Sequence, residues 1–136
     1  MNWRAASPYL LSMLRIVVAF MFFQVGSAKV FAFPAAVMPG GGTAAGWSLA
    51  WIAGMLEVVG GAFLLVGLFT RPVAFVLSGF MAVAYVMAHA SRGNPLLPML
   101  NGGELAVFYC FTFLYFVFSG AGTWSVDAVW RHSKAA

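Results

Sequence analysis

Ionisable side chains are scarce in this 136-residue chain. The carboxylates are Glu57, Glu104 and Asp127, the imidazoles His89 and His132, and the one thiol Cys110. A lone cysteine in an apolar run excludes an internal disulfide, a CxxC redox pair and a cysteine-ligated metal site. No histidine pair of the kind that holds haem is present, nor a phosphate-binding glycine loop, nor a nucleophile beside a base. Metal ligation is therefore not expected, and any redox chemistry must use groups supplied from elsewhere. The residues that can move a proton are His89 and Glu104, because an imidazole beside a carboxylate in a partly dry site accepts and releases protons near neutral pH. Gln24, Lys29 and Asn101 are expected to converge with them near one membrane face. Below Glu104, Phe108, Phe111, Tyr115 and Phe118 recur at helical spacing, either as core packing or as a flat apolar slot for a ring such as a quinone. Asn101 and Glu104 also have the N-cap and N3 spacing of a capping box, so the acid has a purely structural reading as well.

Glu57 lies near the middle of 23 otherwise uncharged residues, Trp47 to Phe69. About 20 apolar residues rising 1.5 Å each cross roughly 30 Å of hydrocarbon, so this stretch reads as a transmembrane helix with an acid inside it. Such a group costs on the order of 2.5 to 3.5 kcal/mol at that depth and is expected to face protein. On a 3.5-residue seam it shares its line with Ala50, Gly54, Gly61 and Leu64, small residues that let a neighbouring backbone approach. The first apolar run carries Arg15, Ala19, Phe22, Gly26 and Lys29 on one face. Counting helical rise from each membrane surface brings Arg15 and Glu57 within reach, so a buried ion pair between them is the expected register lock.

These elements imply an all-α protein. Hydrophobic residues make up 63% of the chain and charged ones 7%, against about 45 to 50% and 25% in soluble domains. One transmembrane domain, residues 1–136, is expected, with spans at about 9–33, 47–69, 72–90 and 102–120. Proline- and glycine-rich loops lie at 34–46 and near 91–103, Arg71-Pro72 is expected to make a tight turn, and the last residues read as a short polar tail. Four passes place both ends on one side. That side holds Arg4, Arg71, Arg131 and Lys134, the other Arg92 and the helix-edge Lys29. By the positive-inside rule both termini are cytoplasmic, and Trp3, Trp124 and Trp130 at one interface with Trp47 and Trp51 at the other match aromatic belts. The cations are scattered singly, with no basic stripe, so nucleic acid is not a partner.

The stretches MLRIVVAFMFFQVGSAKVF, GMLEVVGGAFLLVGLFTRPVA, Ala88-His89, NGGELAVFY and GAGTWSVD, in this order and spacing, resemble the DoxX family of small bacterial membrane proteins over nearly the whole chain. The resemblance implies an integral membrane four-helix bundle, multi-pass in the bacterial inner (cytoplasmic) membrane. It also implies an association with redox complexes, since the family takes its name from a subunit linked to thiosulfate:quinone oxidoreduction. The expected function is that of a quinone-facing, redox-associated accessory subunit, at most a part of an oxidoreductase complex, with no covalently bound cofactor. The alternative is a non-catalytic protein that holds a lipid or a client helix. The bilayer is the expected surround, redox proteins the expected partners, and self-association is open to a chain of this kind.

Overall fold

The computed structural model describes residues 3–135, all of whose regular structure is helical. Six α-helices follow in order: α1 (Trp3–Phe31), α2 (Leu49–Val66), α3 (Thr70–Ala88), the single turn α4 (Pro98–Asn101), α5 (Glu104–Ser119) and α6 (Val126–Ala135). Among the described residues, three helices are long and apolar enough to cross a membrane: α1, α2, and α3 with the 3₁₀ turn that follows it. The fourth apolar helix, α5, has 16 residues.

The chain forms two compact units. Residues 1–69 with 121–136 make one, and residues 70–120 the other.

In the first unit α1 and α2 pack side by side in opposite directions. Their shared seam is the one the sequence predicts: Arg15, Ala19, Phe22 and Gly26 of α1 are buried, as are Gly54, Glu57, Gly61 and Leu64 of α2. Glycine makes this contact possible. A Cβ on Gly26 would stand 2.6 Å from both the Glu57 Cβ and the Gly54 carbonyl, and one on Gly61 would lie 3.0 Å from the Phe23 backbone. The helices therefore touch backbone to backbone, the arrangement that small residues permit in apolar surroundings. Ser48 caps α2 by accepting the Trp51 N–H at 3.2 Å, and Gly67, left-handed at φ 70°, ends it.

In the second unit α3 packs against α5. Ala74, Leu77, Ser78 and Met81 are buried on α3, and Ala106, Tyr109, Phe113 and Phe116 on α5. The Ser78 hydroxyl donates to the Cys110 carbonyl at 2.8 Å, which satisfies a polar group without water.

Three expectations are corrected. The turn after α2 is Gly67 to Phe69, and Arg71 and Pro72 already belong to the first turn of α3. Proline is tolerated there because first-turn N–H groups have no intrahelical acceptor. The aromatic stripe Phe108, Phe111, Tyr115 and Phe118 is exposed rather than core, and the buried aromatics of α5 lie on its other side. The closing residues form α6, started by Ser125, whose hydroxyl accepts the Ala128 N–H at 3.1 Å.

Gly26→Ala should lower the melting temperature of the detergent-solubilised protein, at a cost of ~1–3 kcal/mol for overpacking against backbone that cannot yield. Gly79→Ala is the control, since nothing lies within 4 Å of a Cβ there. It should leave the temperature unchanged or raise it slightly through helix propensity.

Candidate functional site

The first unit holds two cations inside apolar helices, and they are satisfied differently. Arg15, with 0% exposure, donates from Nε to the Ala121 carbonyl at 2.8 Å, from Nη1 to the carbonyls of Leu64 and Leu65 (2.8 Å to the latter), and from Nη2 to the Trp124 carbonyl. The Leu64 and Leu65 carbonyls end α2, where the helix offers them no regular donor of its own. Ser12, one turn before Arg15, accepts the Trp124 N–H at 3.1 Å and donates to the Pro8 carbonyl at 2.9 Å. Asp127 accepts the Phe69 N–H at 2.9 Å on the same end of the unit.

Lys29 is the partner of Glu57. Its Nζ lies 2.7 and 2.8 Å from the two carboxylate oxygens. The Glu57 side chain is 4% exposed and that of Lys29 25%, so the acid is closed in and the ammonium forms the accessible edge of the pair. The expected Arg15–Glu57 pair is thus replaced by Lys29–Glu57. Register is the reason. With Gly26 opposite Gly54 to Val58 and Phe23 opposite Gly61, the level of Glu57 falls near residue 26 of α1, and Arg15 lies about 15 Å away along the axis. The first turns of α1 extend past the end of α2 and pack on residues 121–124 instead.

Gln24 is half-buried on α1. The loop 34–46 returns to the end of α1, where the Ala44 N–H donates to the Lys29 carbonyl at 2.7 Å and Ala44 is buried.

The second unit contains a polar cluster centred on Asn101. Asn101 donates from Nδ2 to the Tyr85 hydroxyl at 2.9 Å and to the Asn94 carbonyl at 3.0 Å, and its Oδ1 accepts the Gly103 N–H at 2.9 Å. The Tyr85 hydroxyl donates to the Pro95 carbonyl at 2.8 Å. The His89 Nδ1 lies 3.3 Å from the Asn101 carbonyl, and its ring stacks near Tyr85 at 6.3 Å between centroids. Gly103 is required here because a Cβ would enter the Tyr85 ring.

His89 and Asn101 are therefore neighbours. Glu104 is exposed in the first turn of α5 and shares no hydrogen bond or ion pair with His89 among the described residues. The capping box is also absent, because Asn101 belongs to α4 and Gly103 takes the N-cap position of α5 without a side-chain bond. Among the described residues no group of three or more His, Cys, Asp or Glu could hold a metal ion.

Sequence reasoning missed Ser12, Asn94 and Asp127. Asp127 carried a legible signal, since Ser125 followed by an acid in the next turn is a helix start. Ser12 and Asn94 act through backbone partners far along the chain or in an irregular loop, for which no periodicity exists.

A double-mutant cycle separates the two cations. Lys29→Met and Glu57→Gln should couple by more than about 1 kcal/mol in thermal or denaturant unfolding, because either change alone leaves an uncompensated charge. Arg15→Lys and Glu57→Gln should add within about 0.5 kcal/mol, as sites without shared partners do.

No solved structure matches the chain. A protein of Haemophilus influenzae (strain ATCC 51907 / DSM 11121 / KW20 / Rd), described as an uncharacterized protein, is 52% identical over 127 residues, covering 93% of this chain and 94% of its own length. The DoxX family model matches residues 10–90, which include most of α1, the Lys29–Glu57 pair, α2 and α3. The chain is a membrane protein and belongs to the DoxX family.

Proposed function

We propose that this protein is an accessory subunit of a redox complex in the bacterial cytoplasmic membrane, where it faces quinone while partner proteins supply the electron-carrying groups. The observation that carries this reading is the Lys29–Glu57 pair. A buried carboxylate holds an ammonium whose edge is 25% exposed among apolar helices. Lysine carries three N–H donors, so one remains available to a carbonyl oxygen after both carboxylate oxygens are engaged. A quinone is an apolar ring with such oxygens, and intramembrane ions mark ligand or proton paths more often than they serve packing alone.

In this reading His89 and Glu104 are the groups that exchange protons with the aqueous side, and Gln24, Asn101, Phe108, Phe111 and Tyr115 contact the ligand. The chain crosses the membrane four times as a four-helix bundle. The 16 residues of α5 rise about 24 Å, a short span that tolerates local thinning. Both termini are cytoplasmic, because Arg4, Arg71, Arg131 and Lys134 outnumber the cations of the other side. A second reading, a non-catalytic protein that holds a lipid or a client helix, draws on the exposed face of α5, where Phe108, Phe111, Tyr115 and Phe118 present aromatic surface.

A short-chain quinone analogue should raise the melting temperature of the purified protein, by ~2.7 kcal/mol of added stability at a hundredfold excess over its dissociation constant. Lys29→Met should abolish the rise, and His89→Ala and Glu104→Gln should reduce it without unfolding the protein. If the analogue gives no shift while a neutral phospholipid or a partner helix does, the holding role replaces the redox one.

Reporter fusions at Ser133 and within the glycine run 40–42 should report opposite sides of the membrane, the former cytoplasmic. Ser133 outside the cytoplasm would refute the orientation.

A further inference from the structure

The helix α6 turns apolar surface outward while its inner side is already covered. Val129 is 66% and Trp130 47% exposed, whereas Ala128 is buried. At 100° per residue Val126, Val129, Trp130 and Ser133 form one stripe, with Lys134 along its edge and Arg131 on the polar flank beyond it. Asp127 lies on the same edge, but its carboxylate accepts the Phe69 N–H at 2.9 Å.

The start of α6 is registered against the end of α2. The Asp127 N–H donates to the Gly67 carbonyl at 3.0 Å, and the rings of Phe69 and Trp130 meet edge to face at 5.7 Å. Since α2 is apolar enough to cross the bilayer, its end marks the level at which hydrocarbon gives way to headgroups. Arg4 belongs to the same end of the unit, one turn before Pro8, whose carbonyl accepts the Thr123 N–H at 3.4 Å. Trp124, which packs edge to face on Tyr9 at 5.6 Å, is 53% exposed there. A short helix that is polar overall, with an exposed apolar stripe and a basic edge at this depth, has the form of an interfacial helix.

We propose that α6 lies in the headgroup layer and binds anionic phospholipid through Arg131 and Lys134, with Val129 and Trp130 dipping into the acyl boundary. Charge decides the occupant. The exposed side chains Arg4, Arg131 and Lys134 are all cationic, and anionic phosphate headgroups lacking a compensating choline answer them where neutral lipid does not. A second copy of this chain would bring the same cations face to face. The site is independent of Lys29 and Glu57, so it stands or falls apart from the quinone reading.

The test uses the full chain in mild detergent doped with equal mole fractions of phosphatidylglycerol or phosphatidylcholine. Phosphatidylglycerol should raise the melting temperature several degrees more, since each cation near an anionic surface tightens binding roughly fivefold. R131Q/K134Q should remove the difference and R131K/K134R should keep it. About 0.5 M NaCl should also remove it, through screening within a few ångströms. Equal shifts with the two lipids, or a phosphatidylglycerol preference that persists in R131Q/K134Q, would overturn the proposal. Should R131Q/K134Q fail to fold, the wild-type salt titration decides, and a preference indifferent to salt refutes it.

Discussion

Arg15 ties together three stretches of chain that are far apart in sequence: α1, the end of α2, and residues 121–124. Hydrocarbon offers no water, so each polar group there must be answered by protein. The guanidinium answers carbonyls that would otherwise be orphaned at the end of α2, and those carbonyls answer it. Each such bond to a charged group contributes about 1.5 to 3 kcal/mol, while burying the ion costs several. The terms are comparable, so the cluster specifies geometry more than it adds stability. Gly67, with φ 70°, and Gly122, with φ 77°, belong to the same arrangement, since a Cβ on either would collide with Ser125 and Arg15 or with Ser12 and Pro8.

With Arg15 anchored at the end of α2, the antiparallel register of α1 and α2 places Gly26 against the backbone around Glu57, and Lys29 one turn further on. The ion pair is a consequence of that register. It also differs in kind from the Arg15 cluster, because its partners are two formal charges and its cation reaches the surface. The second unit solves its polar problem without charge, through one asparagine whose amide group bonds to Tyr85, Asn94 and Gly103 and orders the loop between α3 and α5. Neutral groups suffice there because most of that loop is exposed, where water can meet the remaining demands.

Membership of the DoxX family and residence in a membrane rest on the first three long helices, where the family match falls. The proposed chemistry rests on the pair that α1 and α2 create between them. The proposed interfacial role of α6 rests on residues beyond the stretch that the family model matches.

Composition and periodicity alone determined that the chain is helical and apolar enough for a membrane, that Glu57 points inward, and that Arg15, Gly26 and Lys29 share one face of the first helix. These follow from helical spacing and the cost of charge in hydrocarbon, both local in sequence. Partner choice was decided only by tertiary structure. Both Arg15 and Lys29 were legible as inward cations, and a helix offset of about ten residues, set by glycine contacts and by segment 121–124, determines which one reaches Glu57. The same holds for α5, where the stripe of Phe108, Phe111, Tyr115 and Phe118 and the stripe of Tyr109, Phe113 and Phe116 are equally apolar. Periodicity cannot tell two apolar faces apart, and only the packing of α3 against α5 selects which is covered.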